Sequence, residues 1–141
     1  MNAGSEKHCD IAADIRAFEA GEIDAADFDH EAHVRIAWSY LKKYPVAIAI
    51  ARFTSSLRSL TERLGVAHKY HETVSWFFMI VIADRIETSR TQDWQAFKAE
   101  NRDLLEQGSI LLRRHYSSAR LGSAKARQLF VLPDLAPGID C

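Results

Sequence analysis

Between Phe28 and Phe130 the apolar residues recur at steps of three and four, the spacing that gathers them on one face of an α-helix. No alternating stretch bounded by turn residues is long enough to demand a sheet. The pattern predicts a first helix over residues 7–20, with Ile11, Ile15 and Phe18 on one face and Gly21 as its stop. A second helix starts at Asp27 or Asp29, either of which suits an N-cap, and runs through Val34, Ala37, Trp38 and Leu41 to Lys43. Pro45 ends it and opens a third helix, which continues through Ile48, Phe53, Leu57 and Leu60 to Gly65.

A fourth helix is predicted from residues 68–70 to residue 87. It is apolar almost all round between Val74 and Ala83, the mark of a central, buried helix. Asp93 or Thr91 then caps a segment through Trp94, Phe97 and Leu104, with Asn101 and Gly108 as its weak points. Residues 113–122 read as irregular, Ser123 as the cap of a last short helix, and 135–141, like 1–6, as flexible. The expectation is one all-α domain over residues 1–141: a bundle of about five helices with an irregular C-terminal segment.

Composition narrows the class further. Apolar residues are 48% and charged residues 26% of 141, close to the globular average, so a packed core needs no disulfide. The longest apolar run, Trp76 to Ala83, is far short of the ~20 residues of a membrane span. Cys9 and Cys141 lie near the ends in no metal-binding spacing, and the first residues lack a secretory pattern, so a reduced cytoplasmic setting is expected. A net charge of -1 argues against nucleic acid as a partner. Charge is nonetheless uneven. Residues 1–31 carry nine acids and two bases, while residues 107–133 carry five bases, Arg113, Arg114, Arg120, Lys125 and Arg127, and no acid. Either the two ends pack together or form solvated faces, or the bases make a positive rim for an anion. An acidic front and a basic back also allow homo-oligomers.

The histidines supply the candidate chemistry. His30 and His33 form H-x-x-H where helix two starts, and His68 and His71 repeat it where helix four starts. With helix three between them, helices two and four run parallel in an up-and-down bundle. The chain returns to the same end before His115. His30, His33, His71 and His115 are therefore expected at one pole, whereas His8 is incidental. Neutral imidazoles suit zinc or copper first, then iron or nickel, and a helix N-terminus keeps a His neutral. The expected ligands to one transition-metal ion are His30, His33, His71 and Glu72. Glu72, His115 and Tyr116 are the candidate catalytic groups, and Arg113, Arg114 and Tyr70 the candidate substrate contacts. The plainer alternative, histidines that are partly exposed or hydrogen-bonded in the core, stays open.

Known site motifs are absent. Ser75 stands where H-E-x-x-H needs its second His, no Glu-x-x-His pair occurs, and there is no G-x-S-x-G or phosphate loop. The strings FDHEAHVRIAWSYLKKYP, KYHETVSWFFMIVIADR and LLRRHYSSARLGSAKARQLFVLPD resemble a family of short bacterial hypothetical proteins with F-x-H-x-x-H-x-R-x-A-W, Y-H-E-T and H-Y-S in that order. The likeness spans residues 28–134. It implies that His30, His33, His71, Glu72, His115 and Tyr116 form a shared pattern, and it implies no activity. Two functions are expected from these readings. One is a metal-dependent hydrolase, lyase or oxygenase acting on a small, anionic substrate. The other is a non-catalytic metal carrier, sensor or partner-binding module.

Overall fold

The structure, a computed structural model, describes residues 10–89 and 91–135. His8, Cys9, Cys141, the predicted first turn from Lys7 and both expected flexible ends past residue 135 or before residue 10 lie outside the described residues. Within them the fold is all-α, as expected, with no strand.

Caps explain where each helix begins. In α1 (Ile11–Glu19) the Asp10 carboxylate accepts the Ala13 N–H at 3.1 Å. In α2 (His30–Lys43) Asp29, rather than Asp27, is the cap and accepts from Ala32 N–H at 2.9 Å. Pro45 precedes α3 (Val46–Arg63) as expected. Gly21 and Gly65 follow α1 and α3 with φ near +71° and +74°, the left-handed conformation that stops a helix. Helix α4 (Glu72–Thr88) starts later than predicted, because the His71 ring is itself the cap: its Nδ1 accepts from Val74 N–H at 3.2 Å. His68 sits in a separate 3-10 turn (Ala67–Lys69). The second H-x-x-H therefore does not lie on one helix face.

The segment after residue 90 breaks at both predicted weak points. It forms α5 (Trp94–Glu100), α6 (Arg102–Glu106) and α7 (Gly108–Arg113), with Asp93 capping α5. The stretch read as irregular contains the single turn α8 (Ser118–Leu121), and Ser123 caps α9 (Ala124–Gln128) as anticipated.

Helix α4 packs against α2, α3 and α9 and is the centre of the bundle. Its Phe77, Phe78, Met79 and Ile82 are buried, though Ile80 is 43% exposed. Helix α2 runs alongside it in the same sense. His30, at the start of α2, meets Phe78 in the first half of α4, and Lys42, at the end of α2, reaches Gln92 past the end of α4 at 3.2 Å. Phe18, Phe53 and Tyr40 form one aromatic layer joining α1, α2 and α3; Trp38, Trp94 and Phe97 form another joining α2 and α5. Each such buried ring contributes about 2 to 3 kcal/mol of transfer free energy.

Among the described residues, no ion pair joins an acid of residues 10–31 to a base of residues 107–133. Asp14 pairs with Arg35, Glu19 with Arg52 and Glu31 with Lys98, all partners in the middle of the chain. Arg120 and Arg127 instead donate to the backbone carbonyls of Leu132 and His68.

Candidate functional site

The four histidines surround the N-terminal half of α4 without meeting at a point, and the reason lies in their hydrogen bonds. His30 donates from Nε2 to the Leu104 carbonyl at 3.0 Å and packs edge-on to Phe78. Gly108 makes that approach possible, since a Cβ there would lie 2.8 Å from His30 Nε2. His71 spends both nitrogens: Nδ1 caps α4, and Nε2–H donates to Leu121 O at 2.7 Å. His115 donates from Nδ1 to Leu111 O at 3.0 Å and lies on Phe77, ring centroids 5.2 Å apart. Among the described residues, no group of three or more His, Cys, Asp and Glu side chains is arranged to hold a metal ion. His68 is exposed and borders a different cavity.

The remaining candidates have structural work. Glu72 accepts from the Tyr70 hydroxyl at 2.5 Å, from Arg58 at 2.9 Å and from the Trp76 indole at 3.0 Å. Burial and the Glu72 carboxylate push the Tyr70 phenol up to about 12. Tyr116 is buried and donates to Val131 O at 2.7 Å; desolvation raises its pKa. Arg113 and Arg114 are exposed at the end of α7. The strings Y-H-E-T and H-Y-S thus fasten the C-terminal strap. Thr73 Oγ1 lies 2.7 Å from the carbonyls of both Ala126 and Leu129, donating its one proton to either, and accepts from Val131 N–H at 3.1 Å. Ser117 holds Asp134 through its N–H and its hydroxyl.

His33 is different. Its ring is half-buried, stacked on Phe28 at 5.7 Å and tilted against Phe53 at 5.2 Å. Its Nε2 is the one fully buried side-chain nitrogen or oxygen among the described residues that has no hydrogen-bond partner. Burial first, and the neighbouring His30 ring second, hold its pKa down to about 4. The imidazole is therefore neutral at pH 7. Buried polar atoms are nearly always partnered, so a solitary one points to a missing partner.

His33 lines a cavity of about 370 Å³ at this pole, between α2, α3 and the start of α4. Leu57 and Leu60 of α3, with Leu64 just past its end, form one wall; Val74 and Ser75 of α4, Phe28 and Val66 form most of the rest. Ala25, Thr61, Lys69, Tyr70 and His71 complete it. Of the expected site residues, then, the cavity gathers His33, His71 and Tyr70, while His30, Glu72, His115, Tyr116, Arg113 and Arg114 stand outside its lining. Phe28, the three leucines, Lys69 and Ser75 were not foreseen. The leucines carry only a core signal at their three- and four-residue spacing. Ser75, a polar interruption in the apolar run of α4, was the one legible hint. No protein-family model, curated protein or solved structure matches this chain.

Proposed function

We propose that this chain is a binding module for a small, largely apolar molecule, held in the cavity between α2, α3 and the start of α4. One observation carries the reading: the unpartnered, neutral His33 ring forms part of the wall of an otherwise mostly apolar cavity. Ligand sites have this composition, an apolar lining with a few placed polar groups, and about 370 Å³ is within the usual size range. A small shift of the His33 ring would bring its buried Nε2 to a ligand hydroxyl, which can donate or accept and so satisfies either neutral tautomer. That bond is worth about 0.5 to 1.5 kcal/mol, or roughly two- to tenfold in affinity.

Protein-observed NMR titration with phenol and with toluene tests this. Phenol is expected to shift the amides of Thr61, Leu64, Val74 and Ser75 saturably and to bind more tightly than toluene. In His33→Phe that preference disappears. Non-saturable shifts scattered over exposed Ile48, Leu129 and Leu132 overturn the reading.

A second reading keeps a transition-metal ion, zinc or copper, at this pole, with metal-dependent chemistry on a small substrate. In its favour, His33 Nε2 has no partner and the His30 and His33 ring centroids are 6.4 Å apart. Against it, His71 has both nitrogens committed, Glu72 is held by Arg58, Tyr70 and Trp76, and two protein ligands fall short of the three of a catalytic zinc site. Elemental analysis of untagged protein and of His33→Ala decides it: stoichiometric metal lost in the variant supports the ion, and metal-free protein that takes up no zinc or copper excludes it.

A further inference from the structure

The cavity wall also carries a charge pattern, and from it we infer that the ligand is a monoanion: an apolar body ending in a carboxylate, with the carboxylate at Lys69. The inference rests on the cavity being a ligand site. Among its lining residues Lys69 is the single formally charged side chain, and no Asp or Glu contributes to the wall. Lys69 is exposed and takes part in no ion pair among the described residues, so its ammonium is available. The acids nearest in sequence are turned elsewhere. Glu72 is engaged by Arg58, Tyr70 and Trp76, and Glu62 lines a neighbouring cavity with Arg58, His68 and Arg127.

Two long helices reinforce the sign. His33 comes from the first turn of α2, and Val74 and Ser75 from the first turn of α4, so both helices present their positive ends to the cavity. Asp29 and Glu31 offset part of that field at α2; at α4 Glu72 of the first turn does the same, though Arg58 pairs with it, and the cap is the His71 ring. A cationic head group would meet Lys69 and two positive helix ends with no carboxylate on the wall. A carboxylate meets the reverse, while Phe28, Leu57, Leu60, Leu64 and Val74 receive the apolar body.

Calorimetric titration at low salt with octanoate, 1-octanol and octylammonium, three probes with one chain and different heads, tests the assignment. Octanoate is expected to bind roughly fivefold or more tightly than octanol, and octylammonium most weakly. Lys69→Gln should bring octanoate to the level of octanol and leave octanol unchanged. Leu64→Trp, a substitution at a 38% exposed wall position, should abolish binding of all three while circular dichroism stays the same. If octanol and octanoate bind alike and Lys69→Gln changes neither, the anion assignment is overturned and the cavity reading stands. If no probe binds, or Leu64→Trp leaves binding intact, the cavity reading falls and the anion assignment with it.

Discussion

Replacing His33 with Phe isolates the most unusual group in the molecule. The ring nitrogen Nε2 is buried without a partner, and the pKa falls from 6.5 to about 4. A group that binds its proton less readily when folded favours the folded state fully only above its unfolded pKa. That contribution is lost as pH falls from about 6.5 through about 4 and changes no further below. At pH 4.5 the unfolded chain is almost fully protonated at this site and the folded chain only about a quarter so, which costs about 2.5 kcal/mol relative to pH 7.5. Phenylalanine fits among Phe28 and Phe53, has no buried nitrogen to desolvate and does not titrate. His33→Phe should therefore be at least as stable as the native chain at pH 7.5 and about 2.5 kcal/mol less sensitive to acidification. Carboxylates titrate over the same range, but they do so in both proteins and cancel in the difference. Urea unfolding followed by circular dichroism at pH 7.5, 6.5, 5.5 and 4.5 measures it. Parallel loss of stability in the two proteins across this range would refute the reasoning, because His33 would then titrate as an exposed histidine does.

Gly108→Ala should reverse sign with its neighbour. Alone it places a methyl group 2.8 Å from His30 Nε2 and disturbs the bond to Leu104 O, so it is neutral or costs about 1 kcal/mol; in a His30→Ala background the same change gains roughly 0.5 to 1 kcal/mol of helix propensity, as a thermal-denaturation double-mutant cycle will show. Tyr116→Phe leaves the Val131 carbonyl without its donor and should cost about 1 to 3 kcal/mol, with faster amide exchange at residues 129–135 and unchanged probe binding in the cavity. Thr73→Val removes the hydroxyl that serves Ala126, Leu129 and Val131 and should destabilise the fold by at least as much as Tyr116→Phe in urea titration.

The two halves of this molecule differ in how much of them local chemistry determines. The three- and four-residue apolar period, the caps Asp29, Asp93 and Ser123, the stops Gly21 and Gly65 and the opening Pro45 act within a turn of themselves, so the helices and their order were legible in the chain. The parallel course of α2 and α4 followed from that order. What each imidazole does was not legible, because it depends on groups far away in sequence. His30 finds Leu104 and His71 finds Leu121, 74 and 50 residues on; the first carbonyl engages Nε2 of His30, and the second, with the cap to Val74, leaves neither nitrogen of His71 unpartnered. Even the start of α4 moved for a related reason: His71 caps the helix it was expected to occupy. His33 and His30 look alike as H-x-x-H, yet packing against Phe28 and Phe53 leaves one nitrogen buried and unpaired, while the other ring reaches a carbonyl over a glycine. The sequence by itself determined the helices and their order, and set histidines near the starts of α2 and α4. Only tertiary packing decided which of them faces a cavity, since partner choice is set by distances between helices and not by spacing along one.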